Sequence, residues 1–330
     1  MNLEPWQREF DVALGAARDA AALARTIRQQ IGEQAFLKAD RSPVTVADFA
    51  VQALVAHRLS QAFPDDPLVA EEDSAPLRVA EGQPILQSVL DVLHRTIPDL
   101  ASDQVLGAID RGGGSPGERF WTLDPVDGTQ GFVRGDQYVV ALALIVRGRV
   151  EIGLLGCPRL SLADERRDAV GSIVHAVRNR GAFRSSLTGG ESVPLRASSC
   201  REPRQARVLR SFEGDHIDLI TFDHIIRTLG VEAAPTLMDS QAKHAVIAAG
   251  RADLLIRLPA TREFRDKIWD QAAGAIIIEE AGGRVTDMRG DELDFTCGRT
   301  LARNEGMVGS NGHLHAAVIE ALRNRRRVLS

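Results

Sequence analysis

The sequence predicts a mixed protein with an N-terminal α+β part and a C-terminal α/β part. Three observations predict it: two long helical stretches open the chain, a series of β-branched strands follows, and after about Ala197 helices alternate with short apolar strands. A chain of 330 residues suits about two domains, divided here as 1–197 and 198–330. With 45 Asp plus Glu against 40 Lys plus Arg, 44% hydrophobic residues and a net charge of −5, the composition is globular. It offers no general attraction to nucleic acid or anionic lipid.

Residues 5 to 31 repeat apolar side chains at Phe10, Leu14, Ala17, Ala21, Leu23 and Ile27, the rhythm of an Ala-rich amphipathic helix. A second helix is expected from 45 to 63, with Val51, Leu54, Val55, Leu59 and Ala62 on one face and Pro64 stopping it. Between 75 and 117 lies a polar stretch with one helical segment, 85 to 95. It closes in RGGGSPG, which no Lys-Ser/Thr pair follows, so it reads as a flexible connection rather than a phosphate cradle. Residues 138 to 155 form two apolar runs around Arg147-Gly148, a hairpin pattern, and strands are expected at 172 to 177 and 207 to 211. Together they make a substantial sheet covered by the two N-terminal helices. Beyond it, 252 to 258 and 283 to 286 read as strands and 270 to 281 as a helix. The tail with Arg323, Arg325, Arg326 and Arg327 reads as a solvated helix end.

Cys157, Cys200 and Cys297 are far apart and form no CxxC, which argues against disulfides and a structural zinc site and for a reducing cytoplasm. The N-terminus lacks a basic region followed by an apolar one, so no signal peptide is expected. No window reaches the ~18 uninterrupted apolar residues of a membrane helix. Oligomeric state is left open.

The segment WTLDPVDGTQGF compresses Asp124, Pro125, Asp127, Gly128 and Thr129 into six residues. Asp124 would end a strand and Pro125 fix a turn, so that both carboxylates and the Val126 carbonyl could face one pocket. Oxygen-only ligands suit a hard divalent ion such as Mg²⁺; an Asp-Pro, Asp-Gly surface turn is the plain alternative. Glu71 and Glu72 follow a short apolar strand, as a cation site or a solvated turn. Asp48, three residues after Thr45, could complete a capping box, and Asp270 in IWDQAAG could be an N-cap. Lys243 could be a solvated helix residue and His216 a loop or capping histidine. One metal site accounts for the acids more economically than four separate explanations.

In order and spacing, SPVTVADFAVQALV, VAEEDS, WTLDPVDGTQGFVRGDQY, DSQAKH and KIWDQAAGAIIIEEAGG resemble the lithium-sensitive, magnesium-dependent phosphatase family that includes inositol monophosphatase. RGDQY, DSQAKH and KIWD resemble its 3'(2'),5'-bisphosphate nucleotidase branch. The resemblance implies a layered α-β-α-β-α fold and two or three Mg²⁺ ions held by Glu71, Asp124, the Val126 carbonyl, Asp127 and Asp270. It implies that Asp48 and Thr129 activate the attacking water and that Glu72 holds metal-bound waters. Gly128, His216, Ser240, Lys243 and Arg257 would meet the substrate, with Lys243 and Arg257 on its unreacting phosphate. Gln130 and Gln271 depart from the branch, which often has Lys and His there. The implied reaction is hydrolysis of adenosine 3',5'-bisphosphate, and of phosphoadenosine phosphosulfate in the same pocket, a role in sulfur metabolism. Two alternatives stand beside it: an inositol or sugar phosphate phosphatase, and a catalytically silent nucleotide- or RNA-binding regulator.

Overall fold

Every residue of the strand Val139–Val146 is apolar because both of its faces are covered. Val140, Leu142 and Leu144 pack toward one hydrophobic cluster, and Val139, Ala141, Ala143 and Ile145 toward another. This strand, β3, lies inside a seven-stranded sheet ordered β1 to β7: Leu68–Ala70, Arg119–Asp127, Val139–Val146, Arg149–Cys157, Ser172–Val177, Ala182–Ser186 and Val193–Pro194. β1 and β2 are parallel and the remaining pairs antiparallel. The computed structural model describes residues 5–30, 42–162, 170–212, 218–261 and 263–329.

A second sheet holds β8 (Val208–Arg210), β9 (Thr236–Leu237), β10 (Leu254–Arg257), β11 (Arg284–Thr286) and β12 (Met307–Ser310), in the order β11-β12-β10-β8-β9. Helices α1 (Gln7–Gln30) and α2 (Ser42–Ala62) cover the outer face of the first sheet. The numbering continues with α3 (Gln83–Leu93), α4 (Ser102–Asp110), α5 (Thr129–Arg134) and α6 (Leu219–Leu229). Between the sheets lie α7 (Ala242–Ala248) and α8 (Ala272–Glu280), packed against residues of both. On the far side α6 and α9 (His315–Leu329) close a third cluster. The result is the expected layering of helix, sheet, helix, sheet, helix. Small residues set the spacing: α1 buries Ala13, Ala17, Ala20, Ala21 and Ala24. On β4 a Cβ at Gly153 would lie 2.4 Å from Ile276 Cγ2 and 2.7 Å from the Ala273 carbonyl, so glycine is what lets α8 approach the sheet.

Several local expectations are corrected. The polar stretch contains two helices, α3 and α4; the second presents only Val105, Leu106 and Ile109 to the core, too short a pattern to read. RGGGSPG is no loose connection, because Ala70 N–H donates to the Gly112 carbonyl (2.8 Å) and Gly114 N–H to the Leu68 carbonyl (3.0 Å). Helix α2 starts at Ser42, since Pro43 is tolerated in a first turn. Asp48 therefore sits nearly two turns inside it and caps nothing. Asp124 does not end its strand; β2 runs on to Asp127. The N-cap of α8 is Gln271, not Asp270. Among the described residues no helix is long and apolar enough to cross a membrane.

Candidate active site

Parallel pairing of β1 with β2 sets Ala70 opposite Leu123, so the chain leaves β1 at Glu71 beside Asp124. On β2 the ladder with β3 is regular to Asp124 and resumes at Asp127, with the irregularity at Pro125-Val126. Proline has no N–H for the ladder. A regular strand would send residues three apart to opposite faces; across this break Asp124 and Asp127 stay within electrostatic reach of each other. Gly128 follows at φ +88°, and a Cβ there would lie 2.8 Å from Ser240 Cβ. That turn starts α5 with Thr129, whose hydroxyl donates to the Val126 carbonyl at 3.4 Å.

Asp48, buried on α2, lies within electrostatic reach of Glu72, Glu71 and Asp124. One turn later Gln52, fully buried, donates to the carbonyls of Glu72 (2.6 Å) and Ile109 (2.8 Å) and accepts from Glu72 N–H (3.0 Å). Across the pocket Ser240 holds a left-handed backbone, φ +63°, and is followed by Gln241. The Gln241 main-chain N–H donates to Asp127 Oδ2 (2.6 Å). Its side chain donates to the Trp269 carbonyl (2.9 Å) and accepts from Gly274 N–H (3.0 Å). Gln241 thus ties Asp127 to the segment carrying Asp270. Arg134 pairs with Asp239, joining RGDQY to DSQAKH.

The cations are built in. Lys243 is buried, with Nζ donating to the Met238 carbonyl (3.0 Å), which replaces the solvated-helix expectation. Arg257, at the end of β10, pairs with buried Asp266 (2.6 Å) and lies 3.8 Å from Asp270. Asp127, Gly128, Thr129, Ser240, Lys243, Arg257 and Asp270 line one cavity of about 300 Å³, with Leu255, Met307 and Phe264 as apolar wall. His216 lies outside the described residues. No hydrogen bond joins Asp48 to Thr129.

Burial raises the pKa of Asp48, Glu71, Glu72, Asp124, Asp127 and Asp270. Asp124 is held far above its usual range by burial and then by Glu71, Asp127, Asp270 and Asp48, and Asp48 by burial, Glu72 and Glu71. Glu71 keeps surface open to solvent, yet the protein around it and Asp127 raise it too. Asp127 is raised by burial against the pull of Lys243. Burial pushes Asp270 up to about 7 against the pull of Arg257, and burial with Glu71 and Asp73 pushes Glu72 up to about 7. Lys243 is lowered to about 8 by burial, with Asp127 opposing. Buried Asp124 Oδ1 has no hydrogen-bond partner.

Gln52 and Gln241 are the residues sequence reasoning missed. A lone Gln one turn after Asp48 on an apolar helix face was a readable hint; Gln241 lay within DSQAKH without a role.

A sequence model of the inositol monophosphatase family matches residues 6–327. The chain belongs to that family. It is 38% identical to the 3'(2'),5'-bisphosphate nucleotidase of Schizosaccharomyces pombe, covering 95% of this chain and 94% of that one. It is also 38% identical to the nucleotidase of the same name from Oryza sativa, covering 97% and 95%. Among solved structures, the IMPase of Thermotoga maritima superposes with a TM-score of 0.63 at 21% identity, covering 98% and 99% of the two chains. The inositol monophosphatase of Anabaena (Nostoc) gives 0.62 at 21%, covering 95% and 94%. These structures establish the inositol monophosphatase fold.

Inositol monophosphatase family members use metal ions, and the donor chemistry here fits them: all-oxygen ligands, mutual repulsion, and an orphaned carboxylate oxygen on Asp124. Among the described residues no three His, Cys, Asp or Glu side chains form a group set to coordinate a metal ion.

Proposed function

We propose that this phosphatase is a Mg²⁺-dependent 3'(2'),5'-bisphosphate nucleotidase that hydrolyses adenosine 3',5'-bisphosphate to AMP and phosphate. Phosphoadenosine phosphosulfate would enter the same pocket. The observation that carries the reading is a single cavity lined by Asp127 and Asp270 together with two cations, buried Lys243 and half-buried Arg257. A substrate with one phosphate needs only the carboxylates and the ions they would hold; a bisphosphate also uses the cations.

Glu71, Asp124, the Val126 carbonyl, Asp127 and Asp270 would hold the ions, two or three of them, with Glu72 orienting their waters. When bound, Mg²⁺ supplies positive charge to offset carboxylates and phosphate, and acidity to water. Thr129 Oγ1 both donates and accepts, so on turning from the Val126 carbonyl it can take a proton from the attacking water and hand its own to Asp48. The raised proton affinity of Asp48 suits a final acceptor. Gly128, Ser240, Lys243 and Arg257 position the substrate, Lys243 and Arg257 at its unreacting 5'-phosphate. His216 joins them by resemblance. The three free cysteines suit a reducing cytoplasm.

The test is phosphate release from a panel of adenosine 3',5'-bisphosphate, 3'-AMP, 5'-AMP and inositol monophosphate with Mg²⁺. The bisphosphate should lead in kcat/KM by roughly tenfold or more. A lead for inositol monophosphate overturns the assignment.

A further inference from the structure

The acids come from distant parts of the chain, and one arginine spans two of their carriers. Residues 266 to 268 pair with 299 to 301: Ile268 N–H donates to the Arg299 carbonyl (3.1 Å), Leu301 N–H donates to the Asp266 carbonyl (2.9 Å), and Lys267 bridges Thr300. The pairing carries the Arg299 side chain over the Trp269 ring, 4.8 Å from its centroid. From there Nη1 donates to the Gly112 carbonyl (3.1 Å) and Nη2 to the Ala70 carbonyl. These carbonyls are neighbours, because Ala70 N–H itself donates to Gly112. Ala70 precedes Glu71, and Trp269 precedes Asp270. Arg299 does not line the cavity.

We infer that Arg299 is a positioning residue that sets the separation of Glu71 from Asp270, and through it the affinity of the site for a divalent cation. A planar fork resting on an indole and gripping two carbonyls is a rigid spacer, which a point charge on a flexible stem does not reproduce. Supports of this kind behind metal ligands commonly change metal affinity by roughly 10–100-fold. The inference rests on the proposed role of the acids in holding Mg²⁺.

Mg²⁺ binding to the full chain, measured by titration calorimetry without substrate, tests it with Arg299→Ala and Arg299→Lys. Expected is a Mg²⁺ dissociation constant raised roughly tenfold or more for Ala and partly restored for Lys. At saturating Mg²⁺ both variants should recover kcat and substrate KM. Arg178→Ala removes comparable ties, to Glu279 (2.7 Å) and the Val150 carbonyl (3.0 Å), away from the acids. It should lower the melting temperature and leave Mg²⁺ affinity alone. Unchanged Mg²⁺ affinity in both Arg299 variants overturns the inference, as does an equal change in Arg178→Ala. If the unmutated chain binds no Mg²⁺, the acid-site reading itself fails, and the inference with it.

Discussion

Gln241 offers its main-chain N–H to Asp127 Oδ2 at 2.6 Å across 114 residues of sequence, while its side chain holds the main chain on either side of Asp270 and Gln271. One residue therefore positions two of the carboxylates assigned to the metals. Gln241→Ala keeps the first bond and leaves the Trp269 carbonyl and Gly274 N–H without their partner. Each buried unsatisfied group costs about 1–3 kcal/mol. A loss of about 2–4 kcal/mol in urea unfolding is expected, together with a fall in kcat; unchanged stability would show that water replaces the side chain.

Asp127→Asn should keep the fold, because Asn Oδ1 still accepts from Gln241, and nearly abolish turnover. The folded state raises the Asp127 pKa, so its ionisation works against folding increasingly as pH rises above the ordinary carboxylate range. Without metal, the Asn variant should melt higher than the parent at pH 8 and close to it at pH 4. Wild-type phosphate release from the variant would reduce the segment to a surface turn.

Excess chelator should remove activity and Mg²⁺ restore it, whereas Ca²⁺, too large for compact octahedral coordination, should inhibit. Inhibition by Li⁺ is expected from the family resemblance. Full turnover in chelator rejects the metal assignment.

Lys243→Ala should lower kcat/KM for adenosine 3',5'-bisphosphate by roughly one to two orders of magnitude, since a charge-assisted hydrogen bond contributes about 1.5–3 kcal/mol. Hydrolysis of 3'-AMP, which lacks the second phosphate, should barely change. Equal losses on both substrates would place Lys243 at the reacting centre.

His175 is buried between the rings of Phe10 and Phe183, and burial, with Arg18 nearby, lowers it to about 4. The unfolded chain takes up its proton near pH 6.5, well before the folded one does. Its share of stability is complete above that pH and is lost as pH falls toward 4, by up to about 3 kcal/mol. The acid cluster acts in the opposite sense, so the measurement is the stability difference between His175→Phe and the parent. That difference should shift in favour of the variant from pH 7.5 to 4.5; a constant difference rejects the argument.

The acidic segments were legible because carboxylates packed into DPVDGT and beside one another in EED have few structural uses. Their convergence was legible only as economy of explanation. Lys243 and Arg257 took meaning from resemblance, since a lone lysine in a short helix has no signature of burial. Gln241 and Arg299 stayed hidden for one reason: their partners are main-chain groups, which every residue carries, so nothing in the partner's identity points back; Gln52 bonds main-chain groups too, and only its place on an apolar helix face hinted at it. The layered order came from the resemblance; what the residues themselves made legible was the hairpin of β3 and β4, whose apolar runs suit a strand covered on both faces.

The grip of Arg299 on Ala70 closes a span of 229 residues, which has a meaning for a chain made from one end. The ribosome delivers Asp48, Glu71, Asp124 and Asp127 long before Lys243, Arg257 and Asp270. At ordinary elongation rates the nascent chain carries its anions without their counter-charges for an interval on the order of tens of seconds. A message cut short after the first sheet would thus yield an acidic fragment in a repulsive half-site, exposing the apolar face meant for α7 and α8: a substrate for chaperones and proteases rather than a slow phosphatase.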